Sequence, residues 1–133
     1  MIQVGTYLRI VDNSGAKVAC CIHIYGGFER RYAKAGDVIL VSVKKLNVKH
    51  LKAHRSKEKP KVLKGDVKPA LIVQTKINGQ KNGFFQKFQS NDVVLLDKQN
   101  RLIGNRIKTT VSQNLRTTKF KRLLNFCSGV YEI

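Results

Sequence analysis

The sequence predicts an all-β domain of the small barrel or sandwich kind. Three features carry that expectation: short runs in which apolar and polar residues alternate, turn-forming residues between them, and helical periodicity confined to the C-terminal segment. In chain order, "TYLRIVD" and "KVACCIHIY" both read as strands, with Val18, Cys20, Ile22 and Ile24 expected on one face and Ala19, Cys21, His23 and Tyr25 on the other. "DNSGA" between them stacks turn formers and predicts a hairpin. After Gly36, "VILVSVKKL" alternates again, and "VKPALIVQT" and "NDVVLLD" follow as apolar strands bounded by Asn, Gly and Pro. "KINGQKNGFF", residues 76–85, holds two Asn-Gly pairs and predicts a projecting β-ribbon. Near the end, Phe120, Leu123, Leu124 and Cys127 recur at helical spacing, with Thr117 or Thr118 as the expected N-cap, and "VSQNLR" ahead of them is expected to add a single turn.

A chain of 133 residues has room for one core, so a single domain is expected over 1–133. Its barrel is expected to cover about 1–110, with a basic insertion at about 47–61, followed by a C-terminal helical segment at about 111–128. Lys and Arg number 26 against eight acids, a net charge of +18. Such a surplus repels itself and attracts phosphate, so the expected partner is nucleic acid or an anionic membrane surface. The charge gathers in two places: Lys44 to Lys68 carries ten basic residues against Glu58 and Asp66, and Lys98 to Arg122 carries eight with no acid. An apolar content of 42% still allows a packed core. No secretory signal or import presequence is expected from "MIQVGTYLRIVD", and no run approaches the roughly 20 apolar residues of a membrane helix. Cys20, Cys21 and Cys127 form an odd set without a CxxC pair, which suits a reducing compartment.

Catalytic chemistry finds little support. His50 and His54 sit four apart, but no Cys or acid pattern completes a zinc set, and His23 is distant in sequence. A nuclease would have to assemble scattered acids such as Asp12, Asp37 and Asp92. "GGFERRYAKAG" lacks both the GxxxxGK and GxGxxG patterns, so its glycines are expected to turn the chain between strands. Arg30 and Arg31 offer planar donor forks suited to phosphate, and Tyr32 or Phe28 could stack on a base, although Phe28 could equally serve the core. Neither an enzyme nor a cofactor or metal site is expected.

Seven stretches, "MIQ", "VDNSGAK" (11–17), "GGFERRYAKAGDVI" (26–39), "LKGDVKPALIV" (63–73), "FQSNDVVLL" (88–96), "IGNRI" (103–107) and "LRTTKF" (115–120), occur in the same order in one known family. Through them the chain resembles the universal large-subunit ribosomal protein L fourteen family along nearly its whole length. The resemblance implies a small closed five-stranded β-barrel, a projecting β-ribbon and short C-terminal α-helices. It further implies a structural protein that binds large-subunit rRNA, packs against ribosomal proteins of the L nineteen and L three types, and meets small-subunit rRNA in an intersubunit bridge. A ribosome-silencing factor docks on family members near a GTRI motif, which here reads Gly104, Asn105, Arg106, Ile107.

Phosphate contacts are expected from Arg30, Arg31, Lys44, Lys45, Lys49, Lys64, Lys108, Arg116, Lys119 and Lys121, with Tyr32 beside them. Asn105, Arg106 and Phe120 are the expected protein or bridge contacts. The sequence departs from the family in the Asn at 105, in "KTTV" (108–111) where a Gly-Pro turn is usual, in a longer basic segment "NVKHLKAHRSKEKP", and in a shorter ribbon. These departures and the Asn and Lys richness point to a mitochondrial ribosome, with bacterial cytoplasm or plastid as alternatives. A free-standing single-strand RNA-binding barrel outside the ribosome is the competing function, with Phe84, Phe85 and Phe88 as its stacking cluster.

Overall fold

A computed structural model describes residues 1–49, 62–77, 83 and 85–131. Most of the expected basic insertion and most of the expected ribbon therefore lie outside the described residues. Strands β1 (Tyr7–Ile10), β2 (Ala16–Ile24), β3 (Val38–Leu46), β4 (Val67–Gln74) and β5 (Asp92–Leu95) follow one another around a closed barrel. Each pairs antiparallel with the next, and β5 returns to lie parallel to β1. Parallel closure is a consequence of number: strands that alternate direction in sequential order leave the first and fifth pointing the same way. Only an even count would let such a barrel close with antiparallel pairs throughout.

Inside the barrel, Leu8, Ile10, Ala19, Cys21, Ile24, Ile39, Val41, Val43, Ala70, Ile72, Val93 and Leu95 pack together. Ile2 bridges to Ala33 at one mouth and joins the same cluster, as does Val62. The strict alternation expected for β2 fails at Ile22. Cys21 pairs with Val41 and His23 with Leu40, so two steps on β2 match one on β3 and Ile22 is the extra residue of a bulge. The bulge reverses parity, sending Ile24 inward with Ala19 and Cys21 and leaving Ile22 exposed. Cys20 and Cys21 do face opposite ways, the first half-buried and the second buried.

β4 and β5 are buried on both faces, which is why "ALIV" and "VVLL" read as unbroken apolar runs. Their outward residues Leu71, Val73, Val94 and Leu96 are roofed by Ile107, Val111, Leu115 and Leu123 from the C-terminal segment. That segment includes β6 (Thr110–Ser112), which pairs parallel with β7 (Gly129–Tyr131). Polar groups tie it down as well. Gln74 donates through Nε2 to the Thr110 carbonyl and hydroxyl, the Ser112 hydroxyl donates to Gln86 Oε1 at 2.6 Å, and Gln86 Nε2 donates to the Tyr131 carbonyl at 3.0 Å.

Between β6 and β7 the helical pieces are 3₁₀, at Gln113–Thr117 and Lys121–Phe126, where α-helices were expected. Local chemistry explains the tighter winding. The Thr117 and Thr118 hydroxyls donate to the Asn114 and Leu115 carbonyls, each at 2.9 Å, occupying acceptors that a continuing helix would use. Thr118 thus ends the first piece and does not cap the second, whose N-cap position is Phe120 without a side-chain bond. Ser112 caps the first, accepting from the Asn114 N–H.

Candidate nucleic-acid interface

Strand direction sorts the loops between two ends of the barrel. One end carries residues 25–37 between β2 and β3; the other carries the β1–β2 turn, the β3–β4 connection and the segment following β5. Sequence-predicted basic residues occur at both ends and along the C-terminal segment between them.

At the first end, Gly26 and Gly27 take positive φ, 121° and 114°, and Glu29 follows at 69°. The chain doubles back there and Arg30 fills the bend. Its Nη1 donates to the Tyr25 carbonyl at 3.0 Å, its Nε to the Tyr32 carbonyl at 3.3 Å, and its Nη2 to Asp37 Oδ2 in an ion pair. Asp37 also accepts the Lys34 N–H at 2.8 Å. Gly26 is favoured by its φ, and a Cβ there would also displace the Arg30 guanidinium. Arg30 therefore braces the loop, while Arg31 and Tyr32 stand exposed on it. Phe28 at the tip is 97% exposed, which removes it from the core.

At the other end, Lys44 and Lys45 lie near the end of β3, and Lys49 follows just beyond it. The tight turn bearing Lys64 is fixed to the same strand: Gly65 donates to the Val43 carbonyl at 2.8 Å, Val43 donates to the Asp66 carbonyl at 2.9 Å, and the Asp66 carboxylate accepts the Leu63 N–H at 2.9 Å. Asn47 donates to the Gly15 carbonyl at 2.9 Å, joining this edge to the β1–β2 turn. That turn in turn holds the 103–107 loop. Asn13 Oδ1 accepts the Asn105 N–H at 2.9 Å and the Arg106 N–H at 3.4 Å, while Asn13 Nδ2 donates to Asn105 Oδ1. Gly104 has no alternative there, since a Cβ would lie 2.5 Å from Asn13 Oδ1. Asn105 is thus half of an amide pair, and the pair presents exposed Arg106 beside Lys108, whose N–H donates to the Val11 carbonyl at 3.0 Å.

Arg116, Lys119 and Lys121 lie exposed on the 3₁₀ pieces, with Lys119 Nζ 5.4 Å from the centre of the Phe120 ring. Phe120 itself is half-buried against the second apolar cluster. Four acids serve the scaffold at separate places. Asp92 pairs with Arg9, Asp37 with Arg30, Asp66 closes its turn, and buried Asp12 accepts from the Ser14 N–H and hydroxyl and from the Leu95 N–H. Burial pushes the Asp12 carboxyl above its ordinary value, against the pull of these bonds and of Lys108.

One surface was not anticipated. Tyr7, Cys20, Ser42 and Val67 are successive cross-strand partners on the outside of β1 to β4, with Tyr7 67% and Val67 56% exposed. It is an uncharged row on a chain of net charge +18. Alternation marks these positions as outward once register is known, but the sequence alone does not align the four strands.

Fold and surface together define a small, strongly basic barrel whose described acids are largely taken up by its scaffold and whose basic residues are largely exposed. The family model for ribosomal protein L14p/L23e matches residues 1–131, and the chain belongs to that family of structural large-subunit ribosomal proteins.

Proposed function

We propose that this protein binds and stabilises folded large-subunit rRNA and contributes to the subunit interface during translation. The observation that carries this reading is the division of charge. Four of the described acids close turns and seams, while Arg31, Lys44, Lys45, Lys49, Lys64, Lys108, Lys119 and Lys121 face outward for phosphate, with exposed Arg116 on the same C-terminal segment. Arg30 acts by fixing the loop that presents Arg31 and Tyr32. Arg106, held by the Asn13–Asn105 pair, with Asn105 and the edge of Phe120, is the proposed contact for small-subunit rRNA or a silencing factor. The uncharged row from Tyr7 to Val67 suits a neighbouring ribosomal protein of the L nineteen or L three type better than it suits RNA. Asn and Lys richness supports a mitochondrial ribosome over a bacterial or plastid one.

Sedimentation tests the proposal. The protein should co-migrate with large subunits through a salt-washed gradient, and Lys44→Glu with Lys45→Glu should shift it to the free fraction. Free migration of the wild-type chain would instead support an RNA-binding barrel outside the ribosome. Mass spectrometry of purified mitochondrial ribosomes checks the compartment.

A further inference from the structure

A groove of about 490 Å³ runs along the outside of the barrel, lined by Tyr25, Val38, Pro69, Lys98, Asn100 and Lys119. None of the sequence motifs pointed to it, because its lining comes from five separate places in the chain. Tyr25 directly follows β2, and the His23 and Tyr25 rings meet edge to face at 5.3 Å and 81°. Val38 opens β3, and Pro69 lies within β4, where its carbonyl accepts the Leu96 N–H at 2.8 Å. Asn100 stands at φ 58° in a turn closed by its own N–H to the Asp97 carbonyl at 2.8 Å and by Asp97 N–H to the Arg101 carbonyl at 2.7 Å. Lys98 precedes it in that turn, and Lys119 arrives from the C-terminal segment.

We propose that this groove accepts one unpaired nucleotide of an RNA strand. The volume falls within the range of about 300–1,000 Å³ typical of small-ligand sites, enough for a single nucleotide. Its chemistry is divided as a nucleotide is divided. Tyr25, 43% exposed, offers an aromatic face for stacking; Val38 and Pro69 give an apolar floor; the Asn100 amide can both donate to and accept from a base edge. Two lysines from different segments supply charge for the flanking phosphates, and no acid among the described residues lines the groove to oppose them. An acidic peptide would use the lysines but leave the aromatic face and apolar floor without a matching planar group. The site serves the RNA-binding role proposed above and adds a base-stacking contact to what is otherwise phosphate binding.

The test uses the full chain, a labelled single-stranded RNA octamer of mixed sequence, and the fully paired duplex of the same sequence, with affinity read by fluorescence anisotropy across a salt series. Tyr25→Leu should weaken octamer binding about tenfold or more, leave duplex binding unchanged, and leave the salt slope unchanged, because stacking carries no counterion release. Tyr25→Phe should bind like wild type. Lys98→Ala with Lys119→Ala should reduce the single-strand salt slope by about 1.4, two charges at about 0.7 each. Equal octamer affinity for wild type and Tyr25→Leu overturns the proposal while leaving rRNA binding intact. Failure of the wild-type chain to bind either RNA overturns both. Should Tyr25→Leu lose its place on the large subunit yet bind the octamer normally, the groove belongs to a protein side chain and the proposal is wrong. Circular dichroism melting confirms that each variant folds; if Tyr25→Leu does not, an unchanged slope in the exposed double-lysine variant overturns the proposal by itself.

Discussion

Arg9 clasps Asp92 across the parallel seam of the barrel, donating from Nε to Oδ1 at 2.9 Å and from Nη2 to Oδ2 at 2.7 Å. Their backbones are register partners, so the side-chain fork repeats the pairing of β1 and β5. Asp92 is fully buried and Arg9 about half exposed. Removing the cation strands a carboxylate away from water. Arg9→Met should therefore lower stability by about 2–3 kcal/mol, less than the loss typical of a wholly buried pair, and adding Asp92→Asn should recover more than half of it. Urea unfolding of the three variants checks the sign and the recovery.

Asp12 ties the same seam from its other side, accepting the Leu95 N–H at 3.0 Å, and its carboxyl is raised chiefly by burial. A raised folded pKa means that the unfolded chain releases this proton first. The stability contributed by protonated Asp12 is complete below its ordinary value of 3.8 and is lost as pH climbs through the higher folded value. Between those two pKa values the wild-type stability should fall relative to Asp12→Asn, whose side chain does not titrate. The Asn variant should also be less stable throughout by about 1–3 kcal/mol, since its amide turns a donor toward the Ser14 or Leu95 donors. Urea midpoints measured across the acidic range separate the constant loss from the pH-dependent one.

Gly104 packs against the β1–β2 turn so closely that a Cβ would lie 2.5 Å from Asn13 Oδ1 and 3.2 Å from both Asn13 N and Asp12 Cβ. Gly104→Ala must push the 103–107 loop off the Asn13 amide, at a cost of about 1–3 kcal/mol. Gly129 is the control, because a Cβ there meets Thr110 at an ordinary 3.5 Å. Gly129→Ala should stay within about 0.5 kcal/mol of wild type. Thermal melting distinguishes the two glycines, and amide exchange at Asn105 and Arg106 should rise only in Gly104→Ala.

These residues show what was legible in the sequence. The five barrel strands and their apolar runs were, because alternation and turn residues are local signals. Register was not, and register is what places Asp92 beside Arg9 and Tyr7 in line with Val67. The Ile22 bulge was equally hidden, since an added residue on one strand is defined only against its partner. Thr117 and Thr118 misled because a Thr that can cap a helix from outside can also close one from within, by bonding back to carbonyls. At the candidate interface the residue types were legible and their division of labour was not. Arg30 and Arg31 are neighbours with the same side chain, and only the Tyr25 and Tyr32 carbonyls and Asp37 tell them apart.

Cys21 lies inside the barrel, where burial, with Cys20 adding to it, pushes its thiol up to about 11. At pH 8 only about one molecule in a thousand then carries the reactive thiolate, against roughly a quarter for an ordinary thiol of pKa ~8.5. In a Cys20→Ser background, iodoacetamide should label Cys21 at least a hundredfold more slowly in folded protein than in urea. Mass spectrometry of the labelled peptide reads the two rates; equal rates would place Cys21 outside the core.

Arg30 and Arg31 should separate a scaffold effect from a binding effect on adjacent residues. Arg30→Ala removes two carbonyl bonds and an ion pair, so stability should fall by about 1–2 kcal/mol and the loop should loosen. Arg30→Lys keeps the charge but lacks the planar fork that reaches Tyr25, Tyr32 and Asp37 together, and should be nearly as unstable. Arg31 is exposed, so Arg31→Ala should melt within about 0.5 kcal/mol of wild type while reducing the salt slope of RNA binding by about 0.7–0.9, one phosphate contact. Arg31→Lys should preserve most of that slope, because a point charge suffices for counterion release. Melting curves and salt titrations on the four variants form the measurement. A destabilised Arg31→Ala would make Arg31 part of the scaffold as well, and an unchanged slope would remove it from the interface.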